Sequence, residues 1–337
     1  MKFFISLILG ASLFFIGCGK KETVEETAKS NDKLTIKLSM VFKPSELVTQ
    51  EIEKVTERIN KRSKGTIDIQ VFHSGQLPVY KDSLEQVVSG SDWIAVEDPS
   101  YVGDYIPDFA ALVGPMLYNS YEEYEAMIDT DYVKGLKKQA EEKGIKIIAL
   151  DYLFGFRNLI TNKKIENPND LKGLKIRVPN SQLWMKTLDA MGANPSPISF
   201  TETYAAIQQG VVDGLEGSIA TMYGTKIYEV TKNMSVTKHF LGTAGVYISP
   251  KLWEKMSVKQ QQIVMEEFQN GAIENNKELR KIDKEYKDKL EKEGVVFNEV
   301  DSEAFNDSTA NVFNQFPTWT PGVHKTLMNE LKKIREK

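Results

Sequence analysis

The chain has little of the chemistry on which most enzymes depend. Its 337 residues include one cysteine, Cys18, and three histidines, His73, His239 and His324, which are scattered without metal-ligand spacing. No G-x-S-x-G motif occurs, and no glycine-rich phosphate loop lies within a strand–helix unit. A single cysteine also leaves no internal disulfide to form. The sequence therefore predicts no metal, no cofactor and no catalytic constellation, and we expect a protein that is not an enzyme.

An excess of positive charge is missing as well. The formal net charge is −4, and no basic stripe with interleaved aromatic residues occurs, which argues against nucleic acid as a partner. The composition of 41% hydrophobic and 27% charged residues is typical of a globular protein. The length is enough for two domains, each with its own core.

The N-terminus differs from the rest of the chain. An apolar run over residues 3–16 is too short to span a bilayer comfortably and lies where a secretory signal peptide has its apolar region. The following "FIGC" resembles a bacterial lipobox, with Phe15 in place of the usual Leu. We predict a signal peptide over 1–17, lipidation of Cys18, and a flexible tether up to residue 33. The alternatives are an uncleaved anchor and an ordinary signal peptide with an incidental cysteine.

Strands and helices alternate from residue 34 onward. Strand-like stretches at 34–41, 66–72 and 92–97 enclose amphipathic helices at 45–63 and 80–89, with Ser45 as the first cap. This order predicts a parallel α/β sheet with crossover helices. Ligands bind beyond the carboxyl ends of the strands in such sheets, and Glu97 lies at one of those ends.

A second unit begins near residue 155. We predict strands at 156–162, 174–179, 211–217 and 242–249, and helices at 181–191 and 199–210, the latter with Ser199 and Glu202 at capping-box spacing. Helical sequence then runs from 257 to 293, a length of roughly 50 Å at 1.5 Å per residue. The apolar positions keep no strict heptad, so we expect a strut between two domains rather than a coiled coil.

Arg177 stands out in "LKGLKIRVPNS" (171–181), because it interrupts an otherwise apolar strand. A buried guanidinium costs several kcal/mol unless it is paired. Arg177 therefore either serves a structural ion pair or receives a negatively charged ligand.

Several long stretches closely resemble the DctP-type solute-binding receptors of TRAP (tripartite ATP-independent periplasmic) transporters. They are "FRNLITN" (156–162), "DLKGLKIRVPNS" (170–181) and "MGANPSPISFTETYAAIQQGVVDG" (191–214), with "HSGQL" (73–77) and "YVGDYIPDFAALVGPMLY" (101–118) upstream. The resemblance implies a two-domain α/β fold of the periplasmic-binding-protein type, with a hinge and a long helix spanning both domains. We place domain I at 34–154 plus 243–281 and domain II at 155–242 plus 282–337.

The resemblance also implies a binding site. Arg177 would pair with a ligand carboxylate, Arg157 would add a second cationic contact, Glu97 would face the cleft and Phe200 would pack on the ligand. Trp184 and Tyr223 lie in segments that could form the cleft wall, although a helical aromatic residue is more often part of a core.

Differences from other members of the family restrict the classes of ligand that we expect. Gly217 is a further candidate ligand-binding position by the same resemblance, but sialic-acid receptors carry asparagine there, and further polar residues where this chain has Val41 and Val79. Since unmade buried contacts are costly, we expect a smaller sugar acid, or a keto, hydroxy or dicarboxylic acid.

The resemblance implies an extracytoplasmic receptor, lipid-anchored through Cys18, that delivers an organic acid to TRAP permease subunits without transforming it. We expect a monomer. Two alternatives remain: a surface lipoprotein enzyme acting on acidic sugars, and a ligand sensor for a receptor kinase.

Overall fold

The structure is a computed structural model that describes residues 33–336. The predictions for the signal peptide, for Cys18 and for the tether up to residue 32 lie outside these residues. The strands are β1 Leu34–Met40, β2 Ile67–Phe72, β3 Trp93–Glu97, β4 Lys146–Thr161, β5 Lys175–Val178, β6 Asn194–Pro197, β7 Gly214–Gly217, β8 Asn233–Ile248 and β9 Val296–Asn298. The helices are α1 Leu47–Arg62, α2 Lys81–Ser89, α3 Asp108–Leu112, α4 Tyr121–Met127, α5 Asp131–Glu142, α6 Gln182–Ala190, α7 Thr203–Gln208, α8 Ile219–Thr225, α9 Pro250–Lys255, α10 Val258–Lys292, α11 Ser302–Thr309 and α12 Val323–Arg335.

One mixed sheet joins these strands in the order β2-β1-β3-β8-β4-β7-β5-β6, with β9 beside β8. The pairs β1–β2, β1–β3, β5–β6 and β5–β7 are parallel, which confirms the predicted βαβ organisation. We call the part that contains β1–β3, α1 and α2 lobe 1, and the part that contains β5–β7, α6 and α8 lobe 2. In lobe 1, one apolar cluster joins α1 and the first half of α10 to strands β1–β3. In lobe 2, another cluster joins α8 and the end of α10 to β7.

Strands β4 and β8 connect the two lobes without a break. They pair antiparallel from Ile147 opposite Tyr247, at the lobe 1 end, to Ile160 opposite Met234, at the lobe 2 end. The predicted domain boundaries at 154/155 and 242/243 fall inside these two strands, and the boundaries stay a prediction.

Two glycines face each other where β4 and β8 pass from one lobe to the other. Gly155 pairs with Gly242 at a register shift, and Gly155 has a φ of 106°, which side-chain-bearing residues rarely adopt. A Cβ atom on Gly242 would lie 2.5 Å from Phe154 Cε2 and 2.7 Å from the Gly155 carbonyl oxygen. The close approach of the strands therefore requires glycine at this point.

The long helix predicted at 257–293 is α10. Its N-terminus carries the predicted capping box, with both the Ser257 and Gln260 side chains bonded to each other's backbone. In lobe 1 its Glu267 pairs with arginines of α1, and in lobe 2 its Tyr286 packs on Tyr223 of α8, with ring centroids 4.2 Å apart and ring planes tilted by 31°. The helix thus spans both lobes, as predicted. None of the helices between residues 33 and 336 is long and apolar enough to cross a membrane.

Two other predicted caps are wrong. The N-cap of α1 is Glu46, because the Ser45 hydroxyl instead donates to the Gly224 carbonyl oxygen of lobe 2 at 2.5 Å. The Ser199 side chain does not cap a helix either, since its Oγ pairs with Thr201 Oγ1 and a 3₁₀ turn over residues 200–202 precedes α7. The helix predicted at 199–210 is therefore limited to α7, Thr203–Gln208. The strand predicted at 211–217 is limited to β7, Gly214–Gly217.

Candidate ligand-binding site

A cavity opens between the lobes at the carboxyl ends of β1, β3 and β5, where the sheet topology predicts it. About 590 Å³ of empty space lies there, part of it open solvent, around an inner volume of about 70 Å³. Both lobes contribute to the wall. The lining residues are Val41, Phe42, Glu46, Tyr80, Glu97, Asp98, Tyr101, Phe154, Arg157, Arg177, Pro179, Trp184, Phe200, Thr221 and Thr243.

Arg177 is a buried cation to which no residue between 33 and 336 brings an anionic partner. Its side chain belongs to β5, only 2% of the residue is exposed, and its Nε donates to the Ile198 carbonyl oxygen at 2.8 Å. One terminal nitrogen has no hydrogen-bond partner, and within residues 33–336 no carboxylate oxygen lies within 4.0 Å of the guanidinium. The Phe200 ring centroid lies 5.3 Å from Cζ. Burial lowers the pKa of Arg177, which shows how poorly the surroundings solvate its charge.

Arg157, in contrast, is already paired. Its Nη2 donates to Glu216 Oε1 at 2.6 Å and its Nε donates to Glu216 Oε2, which makes a two-pronged ion pair between β4 and β7. Its Cζ also lies 5.4 Å from the Phe154 ring centroid and 5.7 Å from that of Trp184. Glu216 therefore neutralises much of the charge of Arg157, although the Arg157 side chain lines the cavity.

A histidine stands behind this ion pair. His239 Nε2 lies 3.8 Å from Glu216 Oε2, and its Nδ1 shares a hydrogen bond of 2.8 Å with Thr237 Oγ1. Burial lowers the pKa of His239, which favours the neutral ring. Burial alone would raise the pKa of Glu216, but Arg157 and His239 outweigh it and hold that pKa well below its usual range. The ion pair is thus intact at any physiological pH.

Three carboxyls complete the cavity wall, two of them buried and that of Asp98 partly exposed, and loss of solvation is the largest cause of the raised pKa in each. Glu46 accepts the Lys43 N–H at 2.8 Å and has a pKa of about 7. Asp98 accepts the Ser100 N–H at 2.8 Å and has a pKa of about 6. The pKa of Glu97 lies well above its ordinary value. A raised pKa lessens the negative charge that these carboxyls carry near neutral pH, so they repel an anion less than ordinary carboxylates do.

Tyr80 of lobe 1 contacts lobe 2 at the edge of the cavity. Its backbone N–H donates to Glu97 Oε1 at 2.7 Å, and its hydroxyl oxygen accepts the Phe200 N–H of lobe 2 at 3.3 Å. Its ring lies 5.5 Å from that of Tyr101. Tyr80 is therefore a direct link between the lobes at the edge of the cavity.

The structure brings together five of the seven predicted ligand-binding residues. They are Arg177, Arg157, Glu97, Phe200 and Trp184, and all line the cavity.

The other two predicted residues do not line it. Tyr223 packs on Tyr286 and Tyr228 in the apolar cluster of lobe 2, because it lies on the face of α8 that meets α10. Gly217 is buried in β7, where an added Cβ would touch Ile160 and Thr221 at 3.5 Å.

Sequence reasoning missed Tyr80, Glu46, Asp98 and the Glu216 partner of Arg157. Asp98 directly follows Glu97, and Glu46 follows β1, so the rule that places ligands beyond strand ends could have indicated both. Glu216 gives no such signal, since its contact depends on the pairing of Leu159 with Glu216 across β4 and β7. Among residues 33–336 no cluster of three His, Cys, Asp or Glu side chains is arranged to hold a metal ion.

Comparisons with known proteins agree with this architecture. Residues 38–318 match the family described as bacterial extracellular solute-binding protein, family 7 (DctP). A crystal structure of a TRAP periplasmic solute-binding protein from Fusobacterium nucleatum with bound sn-glycerol-3-phosphate has 51% identity and a TM-score of 0.89, and the match covers 90% of this chain and 98% of that one. A TRAP periplasmic solute-binding protein from Desulfovibrio salexigens in complex with diglycerolphosphate has 49% identity and a TM-score of 0.88. That match covers 90% of this chain and 98% of the other.

A more distant curated relative is the sialic acid-binding periplasmic protein SiaP of Vibrio cholerae. It is 26% identical over 295 residues, which are 87% of this chain and 92% of the relative. The family match over most of the chain, together with the close structural relatives, establishes the assignment: this protein belongs to the DctP family of solute-binding proteins of TRAP transporters.

Proposed function

We propose that this TRAP solute receptor binds a small hydroxylated organic anion in the cavity between its lobes, with Arg177 as the principal contact. The observation that carries the proposal is the buried guanidinium of Arg177, which has a free terminal nitrogen and no carboxylate partner within residues 33–336. A guanidinium offers paired donors that match the oxygens of a carboxylate or a phosphate. An anion from solution would supply the missing counter-charge.

A glycerol phosphate ester is the first candidate ligand. The two relatives near 50% identity were crystallised with sn-glycerol-3-phosphate and with diglycerolphosphate. The Glu46 carboxyl, whose pKa burial raises to about 7, suits a hydroxyl of such a ligand, and the inner volume of about 70 Å³ favours a compact one. This candidate differs from the carboxylic acids expected from the sequence.

A small sugar acid is the second candidate. Relatives with bound L-galactonate and L-fuconate are 29% and 31% identical to this chain, with TM-scores of 0.85 and 0.84. Their carboxylates present the same paired oxygens to an arginine that a phosphate does. The lower identity places this class behind the phosphate esters.

The remaining parts of the proposal concern location, partners and chemistry. We propose an extracytoplasmic protein held to the membrane by lipid on Cys18, for which the "FIGC" motif is the support. It would act as a monomer, close around its ligand by bending at β4, β8 and α10, and deliver the ligand to TRAP permease subunits. It would leave the ligand chemically unchanged.

Titration calorimetry tests the proposal. We would titrate the purified protein with sn-glycerol-3-phosphate, L-galactonate and neutral glycerol, and repeat the titrations on Arg177→Met. Loss of one partner of a buried charged pair costs about 2–5 kcal/mol, so the variant should bind the preferred anion about 30- to several-thousand-fold more weakly. Equal affinity in wild type and variant, or binding of glycerol alone, would contradict the proposal.

Two further measurements address the alternatives. Mass spectrometry after prolonged incubation should recover the bound anion unaltered, whereas turnover would support a surface enzyme. Uptake of the radiolabelled anion by cells should require this receptor and a TRAP permease, whereas a sensor for a receptor kinase would change signalling and leave uptake intact.

A further inference from the structure

We propose that the Tyr80 hydroxyl is a second anion-binding group of this site, delivered by lobe 1 beside Arg177, and that Glu97 acts as its positioning residue. The inference rests on the proposed function, since it concerns the same cavity and the same class of ligand. It assigns to Glu97 a task other than the direct ligand contact expected from the sequence.

The first step is the location of the hydroxyl. Tyr80 and Arg177 both line the cavity, and the Tyr80 oxygen accepts the N–H of Phe200, whose ring faces the Arg177 guanidinium at 5.3 Å. The Tyr80 hydroxyl of lobe 1 thus lies on the cavity near the Arg177 guanidinium of lobe 2. An anion held at Arg177 would come within reach of both.

The second step concerns the hydroxyl proton. The Tyr80 oxygen accepts the Phe200 N–H, and the Arg177 guanidinium, a second donor, also acts on it. No acceptor between residues 33 and 336 takes the Tyr80 proton. Burial raises the pKa of Tyr80 even though Arg177 opposes the rise, so the hydroxyl remains protonated at neutral pH. The hydroxyl is therefore a donor in need of an acceptor, which a phosphate or carboxylate oxygen provides.

The third step is the backbone of Tyr80. Its φ of 59° and ψ of −137° are a combination that residues with side chains rarely adopt. Such conformations are strained, persist only where the surroundings impose them, and concentrate at functional sites. Here the Tyr80 N–H donates to the buried carboxyl of Glu97 at 2.7 Å, which fixes the turn that aims the ring across the cavity.

These steps explain how one anion would hold the two lobes together. Arg177 contributes charge from lobe 2, and Tyr80 contributes a hydrogen bond from lobe 1. Since both contacts form on the same anion only when the lobes are close together, the ligand's binding energy favours the closed arrangement. Discrimination against neutral polyols follows from the same pair of groups.

Removal of the hydroxyl alone is the first test. Tyr80→Phe keeps the ring and its packing on Tyr101, and Tyr105→Phe is the matched control, because Tyr105 belongs to lobe 1 but does not line the cavity. We expect calorimetry with sn-glycerol-3-phosphate and L-galactonate to show about 10- to 100-fold weaker binding of the preferred anion for Tyr80→Phe. An affinity equal to that of Tyr105→Phe would overturn the proposal.

A double-mutant cycle tests the role of Glu97. Glu97→Leu removes the acceptor of the Tyr80 N–H, whereas Glu97→Gln retains a carbonyl oxygen in its place and should recover most of the affinity that Glu97→Leu loses. If Glu97 acts through Tyr80, the double variant Tyr80→Phe/Glu97→Leu should bind scarcely more weakly than the weaker single variant. Additive losses would show that Glu97 contacts the anion by itself and would overturn its positioning role.

The wild-type titration separates this inference from the proposed function. If the wild type binds neither probe at millimolar concentration, the anion site itself is refuted and the inference with it. If the wild type binds one probe, Arg177→Met loses that binding and Tyr80→Phe retains it, only the inference fails. Circular dichroism on each variant establishes that the fold is intact.

Discussion

The two arginines of the cavity should respond in opposite directions when each is replaced by methionine. Arg177 lacks an anionic partner within residues 33–336, whereas Arg157 forms a two-pronged pair with Glu216, which is fully buried. Methionine keeps the approximate length of the side chain and removes the charge. We predict that Arg177→Met stabilises the ligand-free protein while abolishing ligand binding, and that Arg157→Met destabilises it.

The magnitudes follow from the partners of each group. An unpaired buried cation costs several kcal/mol. Arg177 recovers about 1.5–3 kcal/mol of this through its charged hydrogen bond to the Ile198 carbonyl oxygen. The net gain for Arg177→Met is then about 1–3 kcal/mol, or a rise of roughly 2–6 °C in Tm. Loss of Arg157 leaves Glu216 buried without its cation, which costs about 3–5 kcal/mol and lowers Tm by roughly 6–10 °C.

Differential scanning calorimetry of ligand-free protein measures both effects. Any ligand that co-purifies must first be removed by unfolding and refolding, because a ligand at a hundred times its Kd adds about 2.7 kcal/mol and would mask the gain. A fall in Tm for Arg177→Met as large as that for Arg157→Met would refute the reasoning, since it would mean that Arg177 serves a structural contact.

Three further predictions concern the same cavity and the crossing between the lobes. Burial gives Glu46 a folded-state pKa of about 7 against 4.5 unfolded, so its contribution to stability is full below pH 4.5 and is lost as the pH rises to 7. Urea unfolding between pH 4.5 and 8.5 should therefore show Glu46→Gln gaining up to about 3 kcal/mol on wild type, and parallel pH profiles would contradict the shift. Phe200→Ala removes the ring 5.3 Å from the unpaired guanidinium and should weaken anion binding about 2- to 30-fold in calorimetry, with unchanged affinity as the contrary result. Gly242→Ala would place a methyl group 2.5 Å from a Phe154 ring carbon and should cost about 1–3 kcal/mol in urea unfolding, whereas Gly135→Ala, with open space around a helical position, should cost nothing.

Elements with a clear local pattern could be predicted from the sequence. The strands β1, β2 and β3 show apolar alternation or a short apolar run, and α10 has both a long helical pattern and the Ser257–Gln260 capping box. These signals depend only on neighbouring residues, so no tertiary information is needed to interpret them.

Other elements depend on contacts that the sequence does not display. The short helices α3 and α4 have 5 and 7 residues and are held by burial of side chains such as Phe109 and Tyr124 rather than by a long periodic pattern. The strands β4 and β8 have 16 residues each, but only their 156–162 and 242–249 portions were predicted. Gly155 and Gly242 interrupt the apolar pattern of both strands, and a glycine in a sequence usually indicates an end.

The binding site likewise contains residues that could be predicted from the sequence and residues that could not. Arg177 and Glu97 could be singled out from the strand pattern, the family resemblance added Arg157 and Phe200, and Trp184 was predicted only as part of a wall segment; all five line the cavity.

The partners of these residues could not be predicted. The Arg157–Glu216 pair depends on the strand register between β4 and β7, and the orientation of Tyr80 depends on an unusual backbone conformation. Tyr223 lies in a segment that could form the cleft wall, but helix periodicity alone does not reveal that its face of α8 meets α10.

The uninterrupted passage of β4, β8 and α10 between the lobes limits how such a receptor can acquire a new specificity. Residues of β4, β8 and α10 complete the apolar cluster of each lobe, so the exchange of one continuous gene segment with a relative cannot transplant a lobe together with its packing. A single crossover within β4 would join a foreign Arg177 to a native Tyr80 and a foreign β8 to a native β3. Chimeric receptors should therefore retain function only when the junctions come in sets that restore the pairing of both long strands, and point substitution in the cavity is the simpler route to a new ligand.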